Sequence, residues 1–204
     1  MLKRSTFLAA LTGAIVFSSS LIAVEVTKAD RDTLVAHLKK TEAVFLASID
    51  GVSDAQWTWK PAPERWSVAE TAEHITKAED LLRGTVEGMM KAPAAPDVLA
   101  KTKGKEELIL RVIPDRTKKA QAPEPLVPKG AFATKAALIE AFKAARAKTL
   151  AIAGGTSDLR AFGMAGFPIG EVDAYQGILF LSAHTERHTK QIEEVKATTG
   201  YPAN

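Results

Sequence analysis

The 204-residue sequence contains no cysteine, and this absence excludes several kinds of chemistry. The chain can form no disulfide, offers no thiolate as nucleophile or ligand, and cannot be lipidated at an N-terminal cysteine. Aromatic residues are also sparse, at 6%, whereas alanine is abundant, which favours helices. The formal net charge is only +3, which gives no reason to expect nucleic acid as a partner, because binding nucleic acid needs a concentrated basic face.

Long hydrophobic runs are missing as well. The apolar run of residues 7–17 is short for a membrane span, which takes about 20 residues. It follows two basic residues and precedes small ones, an order typical of a secretory signal peptide. We assign residues 1–29 to this signal, with cleavage near Ala23 or Ala29. The domain of residues 30–204 is therefore expected to be exported, periplasmic or secreted, and free of the membrane after signal removal; an uncleaved N-terminal anchor is the alternative.

Apolar residues recur at helical spacing in four segments of the chain. The predicted helices run from Asp30 to Ser48, from Ser67 to at least Met89, from about Thr134 to Ala153, and from about Asp173 to Thr198. The second begins with WSVAE, in which Ser67 and Glu70 have the spacing of a capping box. The sequence shows no strong period-2 strand pattern and no internal repeat.

A connector rich in proline and lysine separates the second and third predicted helices. It covers residues 91–130, and only its EELILRVI stretch, residues 106–113, is expected to be structured. A connector of this length is expected to pack across the end of the helices or to contribute to a site. The sequence thus predicts an all-α fold, a four-helix bundle with one long connection between the second and third helices.

The histidines give the clearest functional pattern. His184 and His188 lie four residues apart on the apolar stripe of the fourth predicted helix, and His74 falls near the inner face of the second. Two imidazoles at this spacing can grip one divalent transition metal, and a third from a neighbouring helix completes a facial set. Such a set leaves a position for water or substrate, which is typical of a catalytic metal. We expect Zn, Ni or Fe at this site.

Two related metal motifs are excluded. A zincin helix reads HExxH, but position 185 is threonine, and Glu186 points away from the face that carries the histidines. The deaminase motif HxE requires a following PCxxC, which a chain without cysteine cannot supply.

The stretches WSVAETAEHI and AHTERHTKQIEEV, with the segment KAQAPEPLVPKGAFATKAALIEAFKAAR, resemble the DinB-like superfamily of metal-binding helical bundles over about residues 30–197. The resemblance implies one divalent metal bound by three histidines. His74 matches the ligand of the second helix, and His184 and His188 match the pair on the last helix. Some members are thiol S-transferases or thiol-dependent isomerases that use low-molecular-weight thiols, and many have no assigned activity. The expected export signal departs from those cytosolic enzymes.

We therefore expect a metal-dependent transferase or hydrolase that acts on a small molecule, with catalytic residues unassigned and a homodimer left open. The first alternative is a non-catalytic extracytoplasmic bundle that binds a metal or an apolar ligand, which a fourth protein ligand, His37 or Glu70, would favour. The second is a purely structural bundle whose histidines are satisfied core groups, which predicts no stoichiometric metal.

Five other residues have a structural and a functional interpretation. Glu70 is expected to cap its helix, with orientation of an imidazole as the alternative. Gln191 could make a helix-surface contact or bind a water or substrate. His37 is expected to be a partly buried structural histidine rather than a fourth ligand. Trp66 is expected to close the end of the bundle rather than wall a pocket. Arg187 is expected to form a surface ion pair rather than attract an anionic substrate.

Overall fold

The computed structural model describes residues 25–95, 97–156 and 158–203. Residues 1–24 of the expected signal peptide lie outside this part of the chain, so the signal stays a prediction. Within the described residues, no helix combines the length and the apolar character needed to cross a bilayer.

The predicted all-α bundle is confirmed, and its four helices end within a few residues of the predicted limits. The helices in chain order are α1 (Lys28–Ile49), α2 (Asp54–Thr58), α3 (Val68–Lys91), α4 (Val98–Thr102), α5 (Lys105–Val112), α6 (Lys135–Gly155) and α7 (Ala174–Lys196). Short 3-10 turns lie at Glu124–Leu126 and Leu159–Ala161. The long helices α1, α3, α6 and α7 form the bundle, and the connector between α3 and α6 carries α4 and α5.

Side-chain caps fix where the two helices that carry the histidines begin. The predicted capping box of α3 is present: the Glu70 backbone N–H donates to the Ser67 hydroxyl at 3.1 Å, and the Ser67 N–H donates to the Glu70 carboxylate at 2.8 Å. Asp173 and Gln176 make the same reciprocal pair at the start of α7. These bonds satisfy backbone donors that the helix itself leaves free.

The bundle core consists of two apolar clusters with a polar layer between them. α7 packs against α1 and α3, and α6 packs against the same two helices. Phe45 and Ile192 belong to one cluster, and Leu38 and Leu179 to the other. Between the clusters lies a fully buried ion pair, in which Arg146 of α6 donates to Glu79 of α3. A buried charge pair thus joins α3 to α6, in addition to the apolar packing.

The structure contains a short β element that the sequence did not predict. A short antiparallel hairpin, β1 (Gly163–Phe167) and β2 (Gly170–Asp173), precedes α7. Most of β1 is exposed, so the alternation that would reveal a half-buried strand is absent from its sequence GMAGF. Its turn depends on Gly170, whose φ of +85° lies in the left-handed region.

The connector is also more structured than predicted. Only residues 106–113 were expected to be ordered into an element, but α4 precedes them and packs against β2. Its buried residues are Val98 and Thr102, a single pair too short to show a helical period. A Cβ at Gly163 would lie only 2.6 Å from Val98 Cγ2, so this close approach requires glycine.

Candidate metal centre

Helices α3 and α7 bring the three predicted histidines together. Nε2 of His74 lies 3.3 Å from Nε2 of His184 and 3.2 Å from Nε2 of His188. One ring nitrogen from each residue lies within 4.8 Å of the other two. Nitrogens held 2.0–2.1 Å from one tetrahedral Zn²⁺ would be separated by roughly 3.3 Å. The spacing of these three nitrogens therefore fits ligands of a single ion.

The outer nitrogens of two rings determine which inner nitrogens are free. His74 Nδ1 lies 2.9 Å from the carbonyl oxygen of Leu126, and a carbonyl can only accept, so Nδ1 carries the proton. His188 Nδ1 donates in the same way to Oε1 of Gln191 at 2.9 Å. In a neutral imidazole the other nitrogen then holds a lone pair. The Nε2 lone pairs of His74 and His188 consequently face each other with no proton between them.

Burial keeps these rings neutral at pH 7. His74 and His188 are buried, and His184 is partly buried. Burial lowers the pKa of His184 from 6.5 to about 3, with smaller contributions from His74 and Arg187. Burial also lowers the pKa of His188, helped by its two neighbouring imidazoles, and that of His74, where it outweighs the hydrogen bond to Leu126. Neutral imidazole is the form that binds a metal.

Aromatic rings border the centre. The Trp66 ring lies 4.9 Å from that of His74 and 6.5 Å from that of His188, centroid to centroid. The Phe180 ring is roughly parallel to that of His184 at 6.4 Å. Trp66 therefore does wall the histidine group, which was the less expected of its two interpretations, and an apolar surface adjoins the three nitrogens.

The other candidate residues take structural positions. Glu70 caps α3 and also accepts from Lys60 at 3.0 Å, so it does not orient an imidazole. His37 Nδ1 lies 2.8 Å from the Ser182 hydroxyl, and His37 is not one of the three grouped histidines. Gln191 accepts a hydrogen bond from Nδ1 of His188. It therefore makes a polar contact on its own helix, but that contact is with one of the three grouped histidines. For Arg187 the expected surface ion pair was wrong, because its guanidinium donates to backbone carbonyls after α5, including that of Ile113 at 3.2 Å.

Sequence reasoning missed the part of the connector that meets His74. The Leu126 carbonyl is a backbone group, and no side-chain pattern could have identified it. Glu73, which precedes His74, was also missed, although it is buried and binds two connector N–H groups. The available signal was an acidic residue on a face of α3 that is otherwise buried.

Comparison with known proteins agrees with this architecture. The sequence is similar to the uncharacterized protein YuaE of Bacillus subtilis (strain 168), with 28% identity over 149 residues that cover 72% of this chain and 88% of YuaE. No solved structure shows significant similarity. The profile of the DinB superfamily matches residues 37–192, a span that includes all three histidines, the whole of α3 and all but the last four residues of α7. This helical bundle, with its histidine group between α3 and α7, belongs to the DinB superfamily.

Proposed function

We propose that the protein binds one divalent transition metal, Zn, Ni or Fe, on Nε2 of His74, His184 and His188, and that this centre acts on a small molecule by hydrolysis or group transfer. The observation that carries the proposal is the convergence of three neutral imidazoles, two of which turn lone pairs toward each other at 3.2 Å. Facing lone pairs repel, and burying them without a shared partner is unfavourable. A bound cation satisfies all three nitrogens at once.

The number of protein ligands favours an enzyme over a non-catalytic binding module. Among the described residues, the group able to hold a metal consists of three histidines and includes no carboxylate. Glu70 and His37, the candidates for a fourth ligand, are hydrogen-bonded to other groups. A three-histidine set leaves a coordination position for water or substrate, as in catalytic sites, whereas structural sites are closed by four protein ligands.

The surrounding residues support a reaction of a small, partly apolar molecule. A bound divalent ion would lower the pKa of a water or a substrate thiol and so supply a nucleophile at neutral pH. Leu126 and Gln191 hold two of the rings in the orientation that presents Nε2. Trp66 and Phe180 offer apolar surface beside the centre. Thiol transfer to an electrophile and hydrolysis of one are the reactions that we would test first.

The metal content of the purified protein tests the first half of the proposal. We expect about one equivalent of transition metal by mass spectrometry, either as isolated or after reconstitution with Zn, Ni or Fe. The His184→Ala/His188→Ala double variant should lose it. His37→Ala is the matched control, because His37 is also a partly buried histidine but lies outside the group, and it should retain the metal. A wild-type protein that takes up no metal would overturn the proposal.

Measurement of turnover tests the second part of the proposal, that the metal centre acts on a small molecule. The metal-loaded protein should transfer a thiol to, or hydrolyse, at least one small electrophile in a screen, and the metal-free protein and His184→Ala should not. Retained turnover without metal would refute the mechanism. A stoichiometric ion with no exchangeable water would instead favour the non-catalytic module.

We also propose that the domain acts outside the cytoplasm, which rests on the N-terminal sequence alone. Fractionation of cells that express the full chain should recover it, shortened by the signal, in the periplasm or the medium. Recovery of the uncleaved chain with the membrane would indicate an anchor, and recovery in the cytoplasm would contradict export.

A further inference from the structure

The connector segment Leu126–Gly130 lies against α3 beside the candidate centre, and α3 binds it at three points. The Leu126 carbonyl accepts from Nδ1 of His74 at 2.9 Å. The Val127 carbonyl accepts from Nζ of Lys77 at 2.9 Å. The backbone N–H groups of Lys129 and Gly130 donate to the Glu73 carboxylate. Side chains of one helix thus bind four of these five consecutive connector residues.

Glu73 makes the strongest of these contacts. It is only 4% exposed, and its two oxygens accept from the Lys129 N–H at 2.8 Å and the Gly130 N–H at 2.9 Å. Two successive backbone N–H groups thus converge on one anion. The second belongs to Gly130, whose φ of +74° is a conformation that other residues rarely adopt. Hydrogen bonds to an ionised carboxylate are roughly twice as strong as neutral ones. Glu73 therefore fixes the direction in which the chain passes His74.

Lys77 supplies a second anchor on the same face. It lies one helical turn after Glu73, and its Nζ is 3.9 Å from a Glu73 oxygen. His74 lies between these two residues in sequence, and Leu126 is itself buried at 5% exposed. The carbonyl that accepts from His74 is consequently flanked by two charged contacts and by apolar packing.

We propose that Glu73 is a positioning residue for the metal centre: by holding the connector, it keeps the Leu126 carbonyl where it fixes His74 with the proton on Nδ1 and with Nε2 free. The metal readout of this inference rests on the proposed function. Glu73 touches neither the ion site nor a substrate. Its effect passes through the backbone of residues 126–130 to one imidazole.

Loss of this contact has a defined consequence. Without the carboxylate, the Lys129 and Gly130 N–H groups must bond to water, and the connector is free to move away from α3. His74 then loses its acceptor, and its proton can move to Nε2, which removes the lone pair that faces the centre. Removing the outer partner of a metal-binding histidine typically weakens metal binding about 10–100-fold.

Zinc affinity, measured by competition with a chromophoric chelator, is the test. We expect Glu73→Ala to weaken binding about 10–100-fold. Glu73→Gln keeps the size but replaces one of the two accepting oxygens with an NH2 donor, and it should weaken binding by a smaller factor. The matched control is Glu70→Ala, because Glu70 lies on the same helix and caps it without touching the connector. It should lower stability but leave the affinity within about threefold. Equal losses in both variants would overturn the proposal.

Removal of a negative charge near a cation could also weaken binding by simple electrostatics. Lys77→Met separates the two causes, because it removes a positive charge and a connector contact together. A purely electrostatic effect predicts tighter zinc binding in this variant, whereas the positioning role predicts weaker binding. Tighter binding in Lys77→Met would therefore overturn the proposal.

A second measurement needs no metal and keeps the inference separate from the proposed function. In the metal-free wild type, nitrogen-15 NMR should show His74 protonated at Nδ1, and the Lys129 and Gly130 amides should exchange slowly with solvent. Glu73→Ala should mix the tautomers and speed both amides, and Glu70→Ala should do neither. If the wild type binds no zinc but these signals change as stated, the proposed function fails and the positioning role stands. An unchanged His74 tautomer in Glu73→Ala refutes the positioning role.

Discussion

Replacing Arg146 with leucine should destabilise the bundle more than any single replacement on its surface. The Arg146 side chain is fully buried, and it donates to both oxygens of Glu79, at 2.9 and 2.7 Å. It also donates to the Leu38 carbonyl at 2.6 Å and to the hydroxyls of Thr41 and Thr185 at 3.0 Å each. One guanidinium thus bonds to all three of the other long helices.

The magnitude follows from what the substitution leaves behind. Without Arg146, the buried Glu79 carboxylate keeps one hydrogen bond, from the Thr149 hydroxyl at 2.7 Å, and no opposing charge. Breaking a buried pair in this way costs about 3–5 kcal/mol, a large share of the roughly 5–15 kcal/mol of a typical domain. The double variant Arg146→Leu/Glu79→Leu should be less destabilised than Arg146→Leu, because neither charge is then buried alone.

Urea unfolding followed by circular dichroism gives the four free energies of the double-mutant cycle. We expect both single variants to be the least stable of the four proteins. The double variant should be more stable than either of them, and its stability could equal or exceed that of the wild type. The reasoning is refuted if Arg146→Leu lies within about 1 kcal/mol of the wild type, since surface substitutions already reach about 0.5 kcal/mol. It is also refuted if the two single effects simply add in the double variant.

Three further perturbations have definite expected results. Acid should destabilise the metal-free protein, because burial lowers the pKa of the site histidines, that of His184 to about 3. As the pH falls from 6.5 toward 3, the unfolded chain takes up protons on these histidines and the folded chain does not, so stability is lost. A urea midpoint that stays the same between pH 7 and pH 5 would contradict this. Gln191→Leu should weaken zinc binding about 10-fold by removing the acceptor of His188, and unchanged affinity in a competition titration would exclude that role. Gly177→Ala should lower the melting temperature, because a Cβ there would lie 2.9 Å from Val86 Cγ2. The cost of overpacking, about 1–3 kcal/mol, exceeds the gain in helix propensity of about 1 kcal/mol. A higher melting temperature would show that the Val86 side chain moves aside at little cost.

The sequence predicted the long helices and the histidine group because both rest on local regularities. Apolar residues at a period of 3.6 define α1, α3, α6 and α7, and Ser67 with Glu70 marks one start to the residue. His184 and His188 are neighbours through helical spacing alone. Placing His74 beside them needed only the premise that both inner faces meet in one bundle, together with the family resemblance.

The parts that were missed depend on contacts between distant segments. The hairpin before α7 is short and mostly exposed, so its sequence shows no alternation of apolar and polar residues. Its packing against α4 depends on the close approach of Gly163 to Val98. The acceptor of His74 is the Leu126 carbonyl, 52 residues away in sequence. Arg187 reads as a surface cation, but its partners are backbone carbonyls of the connector. Backbone acceptors leave no trace in side-chain patterns.

Helix α7 contributes residues both to the buried polar layer and to the candidate metal centre. This double role gives a physical reason for the many polar residues that α7 buries. On one side, Ser182 and Thr185 of α7 bond to His37 and Arg146. On the other, His184 and His188 face His74 of α3. Apolar side chains alone would allow α7 to slide or turn against its neighbours, since hydrophobic contact is not directional. The hydrogen bonds of the polar layer admit one register, and a three-nitrogen centre needs its ligands placed to within about 0.5 Å.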